Sequence, residues 1–198
     1  MAKYMASLII NNSLPIKKKY MKVNLINEGL KYGLICGIAA LLLMFGSWAS
    51  GDAVYANVQM YGTFVPYMFG IILFVAFTIR KQNGGFISFA EVLKFSFLAF
   101  SVSAVIVGIG NLVLLNLIDK GLSERMAEIG LEKTRQMMEK FGASEEDIEK
   151  SMASTQASMK DTGPKKIFLG TGITIVLGFV EALIISIIAK RDEKFQDQ

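Results

Sequence analysis

The sequence predicts an all-α integral membrane protein: a four-helix transmembrane bundle with an extramembrane helical hairpin between the third and fourth spans. Three observations carry this prediction. Hydrophobic residues make up 53% of the 198 and the mean hydropathy is +0.45, more apolar than a soluble surface of this size allows. Charges gather in short clusters and in one long block, Asp119–Lys166. Between them lie four nearly uncharged stretches, each of the ~20 residues that cross a ~30 Å hydrocarbon core at 1.5 Å per residue.

Residues 1–21 form a basic tail, with Lys17, Lys18 and Lys19 following Pro15. Met21 opens a more typical start, MKVNLINEGLKYG. The first twenty residues are therefore expected to be an upstream extension or a disordered cytoplasmic tail. Residues 22–118 hold three spans, at about Gly29–Trp48, Tyr61–Ile79 and Val92–Ile118. The first is longer than the 7–15 residues of a signal-peptide core. Ala49-Ser50-Gly51 nevertheless leaves cleavage as an alternative. Pro66 suits the start of the second span, where a missing N–H costs little. Arg80-Lys81 and the tight polar turn Gln82-Asn83-Gly84-Gly85 close it. The stretch Phe86–Phe95, with Glu91 and Lys94, is expected to lie in the membrane interface before the third span dives.

Residues 119–166 are a charged insertion that resolves into two helices. In the first, Leu122, Met126, Ile129, Met137 and Phe141 recur near helical spacing. Gly142 breaks the run, and Ser144-Glu145-Glu146-Asp147 is a capping pattern that starts the second. Ile148, Met152, Thr155 and Met159 share one of its sides, and Thr162-Gly163-Pro164 ends it. The Met-rich face either packs within the hairpin or binds a partner. Residues 167–198 hold the fourth span, about Ile167–Ala189, then Lys190-Arg191 and a short tail.

Orientation follows from Lys and Arg near the span ends. The N-terminal segment, the second connection (Arg80, Lys81, Lys94) and the C-terminus (Lys190, Arg191, Lys194) are basic, whereas the first connection, Ala49–Met60, has no Lys or Arg. Both termini are thus expected in the cytoplasm. The insertion, with nine Lys/Arg against ten Asp/Glu, is expected outside.

Helix association in lipid needs close backbone contact, because lipid is as apolar as leucine. Two stripes of small residues suit this: Gly29, Gly33 and Gly37 on the first span, and Gly170, Thr174, Gly178, Ala182 and Ser186 on the fourth. Ala104, Gly108 and Gly110 add to them on the third. Either the bundle packs on these stripes or one stripe forms a homodimer. Glu181 is the sharpest candidate functional residue. An acid inside a span costs about 2.5–3.5 kcal/mol at mid-depth on insertion scales and usually faces a bundle interior or cavity. It either serves proton or ligand handling or hydrogen-bonds Asn111, Ser101 or Ser103. Asn111 and Asn116 are candidate interhelical polar contacts. Trp48, Tyr55, Tyr61 and Tyr67 sit where interfacial aromatics gather.

Several classes are set aside. With no histidine and one cysteine, Cys36, the commonest general base and metal ligand are missing and no intrachain disulfide forms. No phosphate loop, zinc spacing, nucleophile elbow or nucleic-acid motif occurs. No inverted repeat of the transporter kind is visible. The net charge of +4 fits topology and anionic headgroups better than nucleic acid. No cofactor is expected.

The order Lys31-Tyr32-Gly33, then Ile79-Arg80, then Gly84-Gly85-Phe86-Ile87-Ser88-Phe89 leading to Glu91 and Lys94, resembles the domain of unknown function 4199 family over roughly Lys22–Arg191. The resemblance implies a small four-span membrane protein of a bacterial inner membrane, mainly from Bacteroidota. It brings no catalytic residues. The expected function is a non-catalytic membrane adaptor that assembles with a membrane protein partner or with itself. The alternative is a small oligomeric transporter, channel or lipid-handling protein using Glu181.

Overall fold

The computed structural model describes residues 23–62, 66–159 and 164–192. The basic tail 1–21 and Thr162-Gly163 lie outside them. Among the described residues the chain forms seven α-helices: α1 (Leu25–Ala49), α2 (Asp52–Gly62), α3 (Tyr67–Gln82), α4 (Phe89–Val113), α5 (Leu122–Lys140), α6 (Glu145–Met159) and α7 (Pro164–Ala189). α4 continues into one π-helical turn, Leu114–Ile118. Three helices are long and apolar enough to cross a membrane: α1, α4 with its π-turn, and α7. About a third or less of the apolar window of each is buried, and residues such as Leu42, Phe168 and Ile187 stand exposed. Apolar surface on this scale requires a lipid solvent, so this is a membrane protein.

The expected second span differs. Tyr61 and Gly62 end α2, and α3 begins only at Tyr67, with Pro66 at its N-cap. The two helices are bent by 48°. Pro66 cannot donate into a preceding turn and disfavours helix at the residue before it, so one straight span cannot run through it. Most of the first connection is α2.

α4 is the central helix. Gly29 of α1 lies against Phe95 and Leu98, Gly33 against Ala99 and Val102, and Gly37 against Ile106. Both sets of numbers rise together, so α1 and α4 run parallel. Their contact leaves no room for side chains: a Cβ on Gly33 would stand 2.8 Å from the Ala99 carbonyl oxygen. α7 runs antiparallel to α4, with Thr171 at Gly108 and Gly178 at Phe100. Because α1 and α4 start at the same end, the segment between them carries the chain back to that end.

On α7 the four-residue stripe is only half buried. Gly178, Ala182 and Ser186 are buried, whereas Gly170 and Thr174 are exposed. A step of four residues overshoots a full turn by ~40°, so the four steps from Gly170 to Ser186 rotate by roughly 160°. The packed line instead follows Thr171, Ile175, Gly178, Ala182, Ile185 and Ala189, of which the last four are buried and the first two half-buried. Its steps alternate between four and three, the 3.5-residue period that keeps a seam facing its neighbour.

The end where α1 and α4 begin is closed by backbone pairing. Gly84 (φ 80°) and Gly85 (φ 94°) adopt the left-handed conformation that glycine takes without a Cβ penalty. They turn the chain so that Ile87 pairs with Arg191: Ile87 N–H donates to the Arg191 carbonyl at 2.9 Å and Arg191 N–H donates back at 2.8 Å. Arg80 Nη1 donates to the Ala189 carbonyl at 3.1 Å, satisfying one of the carbonyls a helix C-terminus leaves open. Asn83 Oδ1 accepts from Val23 N–H at 3.2 Å. Ser88 and Glu91 then cap α4 reciprocally. The stretch Phe86–Phe95, expected as an interfacial lead-in, is therefore not set apart from the third span. Val92 and Phe95 have no exposed surface, because the cap starts α4 directly at Phe89 and points its first turns into the core with Ile72, Ile79 and Ile185.

Gly178→Leu is expected to lower the thermal stability of the detergent-solubilised protein by about 1–3 kcal/mol or more, since a Cβ there would already stand 2.9 Å from Phe100 Cβ. Gly170→Leu meets nothing within 4 Å and should be neutral or slightly stabilising, because leucine is the better helix former. Equal losses would contradict the assignment of the two glycines to different faces.

Candidate functional site

At the opposite end the chain leaves the spans and folds over them. α5 starts at Leu122, a few residues after the π-turn, and lies across α2. α6 returns along it as a hairpin. Ser144 Oγ accepts from Asp147 N–H at 3.3 Å to open α6.

A charged clamp holds this layer to the spans. Arg125 Nε lies 2.6 Å from Asp52 Oδ2, and its Nη2 lies 2.7 Å from Asp119 Oδ2. Nη1 donates to Asp119 Oδ1 at 3.2 Å. Trp48 Nε1 donates to Asp119 Oδ2 at 3.0 Å. The four residues come from the end of α1, the start of α2, the end of the π-turn and the first turn of α5. The Arg125 guanidinium, followed by the Trp48 indole, draws the Asp119 carboxyl down to about 2, and the two carboxylates push the Arg125 pKa further up. Isolated exposed ion pairs contribute little, but a fork shared between two carboxylates fixes direction as well as distance. Beneath it, Met44, Tyr55, Leu114 and Leu122 form a second buried cluster.

Beside the clamp is a cavity of about 610 Å³ between α2, the π-turn, α5 and the first turn of α7. Its wall is mostly apolar, with Met60, Leu115, Met126 and Met137, and carries Lys133 and Lys166. Lys133 Nζ donates to Asn57 Oδ1 and sits 5.8 Å from the centre of the Tyr61 ring.

Glu181 lies half-buried on α7 between exposed Val180 and buried Ala182. Among the described residues no hydrogen bond joins it to Asn111, Ser101 or Ser103. Ser101 Oγ is buried without a partner, and Ser103 Oγ contacts Met68 Sδ at 3.7 Å. Asn111 is half-buried, about ten residues along α4 from the Phe100 level at which Gly178 packs. Asn116 donates to the Leu112 carbonyl of its own helix at 3.1 Å, so this amide is satisfied locally. Gly29, Gly33 and Gly37 face α4, and Tyr55 is buried, its hydroxyl accepting from Gln59 Nε2 at 2.8 Å. No three His, Cys, Asp or Glu side chains among the described residues converge to hold a metal. The clamp was missed in the sequence. Its only signal was an acid placed just after each of the two parallel spans, with an arginine on the amphipathic helix that follows.

An all-α membrane protein with three helices able to span a bilayer, or four if the bent α2–α3 pair is one span, is the class defined by this fold. The chain belongs to the DUF4199 family, described as "Protein of unknown function (DUF4199)", whose model matches residues 31–191. No match was found among the curated proteins or among the solved structures.

The clamp sets a pH dependence. Asp119 is held below its ordinary value of 3.8, so its contribution is complete above that value and is lost as the pH falls through about 2. Trp48 is the sole tryptophan and reports it directly. Its fluorescence should change with a midpoint near pH 2, and Arg125→Met should move that midpoint up toward 3.8. An unchanged midpoint in the variant would show that Arg125 does not hold Asp119.

Proposed function

We propose that the protein is a non-catalytic adaptor of the bacterial inner membrane that presents the α5–α6 layer to a membrane protein partner or to a second copy of itself. In this reading the bent α2–α3 pair is a fourth crossing. The parallel course of α1 and α4 supports it, since the chain must return across the same thickness between them. Both termini are cytoplasmic and the α5–α6 layer is outside. Lys31, Arg80, Lys81, Lys94, Lys190 and Arg191 all lie toward the closed end, which fits the positive-inside rule.

The observation that carries the adaptor reading is the combination of a clamped base and an exposed tip. The clamp fixes α5 to three other elements, while Met137 at 47% and Phe141 at 85% exposure project at the α5–α6 turn. Large aromatic and methionine side chains of this kind anchor interfaces.

A membrane-impermeant, thiol-reactive crosslinker on Ser151→Cys, with Cys36→Ala, tests orientation and partnership together in intact cells. The expected product is a discrete adduct with a second protein or a second copy, diminished at least several-fold by Phe141→Ser. Labelling only after permeabilisation would invert the orientation. Labelling without any adduct would remove the adaptor reading.

A second reading, a small oligomeric transporter or channel, draws on Glu181, which is half-buried within α7 and makes no hydrogen bond or ion pair among the described residues. Glu181→Gln keeps volume and polarity but cannot ionise. Under the adaptor reading it should complement a gene deletion fully. Loss of complementation at normal protein levels would favour transport.

A further inference from the structure

We infer that the cavity between α2, α5 and the first turn of α7 is a binding site for a single-chain anionic amphiphile drawn from the surrounding bilayer: one hydrocarbon chain carrying a carboxylate or phosphate head.

Shape and place point to a lipid chain. Leu115 of the π-turn and Lys166 of the first turn of α7 both line the cavity, so it sits where two apolar spans end and the extramembrane layer begins. A π-turn at this level is a local departure from α-helix of the kind often found at functional sites. The volume of about 610 Å³ falls within the ~300–1,000 Å³ of small-molecule sites. A methylene takes up about as much space as a water molecule, on the order of 30 Å³. One chain of about sixteen carbons therefore needs roughly 480 Å³, and two chains would need roughly twice that. The wall suits such a chain. Met60, Met126 and Met137 are unbranched, polarizable side chains that adapt to irregular apolar guests.

Charge points to the head. Among the described residues the lining includes Lys133 and Lys166 but no Asp or Glu. The acids nearest Lys133 in sequence, Glu128 and Glu132, line an adjoining cavity on the neighbouring face of α5 that shares Ile129 and Lys133 with this one, so Lys133 stands at the border between the two and is the only one of these three charged groups to reach the apolar wall. Lys133 is also held in place, because Asn57 accepts from its ammonium and Tyr61 lies beneath it. A positioned ammonium at an apolar mouth next to a bilayer selects a negative head over a neutral or cationic one. The cavity shares Met137 with the exposed tip but not Phe141, so Phe141→Ser tests the adaptor reading and Lys133→Gln tests this one, and either can fail without the other.

The test uses the full-length protein in nanodiscs of neutral phosphatidylcholine, with a diazirine-bearing palmitate as the photoprobe and peptide mapping as the readout. Saturable labelling is expected within residues 55–60 and 123–137. Unlabelled palmitate should compete, and hexadecanol and hexadecyltrimethylammonium should not. Lys133→Gln should weaken the apparent affinity about tenfold, the loss of one charge-assisted hydrogen bond. Ala127→Trp, which fills the cavity, should abolish labelling at these positions. Circular dichroism and nanodisc elution confirm folding of both variants; should Ala127→Trp misfold, Lys133→Gln alone decides. Labelling confined to the lipid-facing sides of α1 and α7, equal competition by hexadecanol, or unchanged affinity in Lys133→Gln would each overturn the inference.

Discussion

The close approach of α1 to α4 is the contact on which the rest of the structure depends. In lipid, apolar side chains gain nothing by leaving one hydrocarbon environment for another, so helices associate only where backbones come close enough for dense van der Waals contact. Gly29, Gly33 and Gly37 make that possible along three turns, and a Cβ at Gly33 would meet the Ala99 carbonyl oxygen. This contact sets α1 and α4 parallel. Parallel neighbours cannot be joined by a short turn, so the chain must spend the α2–α3 segment returning to its starting end. The same requirement places α2 at the far end, where it forms one wall of the cavity and supplies Asp52 to the clamp.

The two ends of the bundle are secured by different forces. At the end holding the start of α1, hydrogen bonds to backbone groups make the closure: the Ile87–Arg191 backbone pair and the Arg80 side-chain bond to the Ala189 carbonyl satisfy groups that would otherwise be orphaned near hydrocarbon. These bonds explain the family-like run Gly84-Gly85-Phe86-Ile87-Ser88 in structural terms. Two glycines turn, one residue pairs, and one caps a helix. At the other end, ionised side chains hold the extramembrane layer, and the indole of Trp48 joins them. The first arrangement rests mainly on hydrogen bonds to backbone groups, whereas the second is electrostatic and exposed, so acid and salt act first on the clamp.

Glu181 and the cavity illustrate two ways in which function becomes visible. An acid within a span is conspicuous in one dimension, because its cost does not depend on neighbours. The cavity has no such signature. Its lysines lie on α5 and α7, its methionines on α2 and α5, and each has an ordinary reading in its own helix.

The sequence by itself determined what depends on local composition and period: the all-α class, the apolar stretches, the amphipathic insertion, the cap at Ser144, and the glycine stripe of α1. Each follows from the 3.6-residue turn, from hydropathy over about 20 residues, or from a side chain bonding its own backbone. Tertiary structure alone decided the rest. The interruption at Pro66 was legible as a proline but not as a 48° bend. Gly170 and Thr174 repeat at the same spacing as Gly178 and Ala182 yet face outward, because a real contact seam drifts away from strict four-residue steps. The clamp joins Asp52 and Asp119 to Arg125 across 73 and 6 positions. Such pairing depends on which helices run parallel, and a single sequence carries no record of distances between residues far apart along the chain.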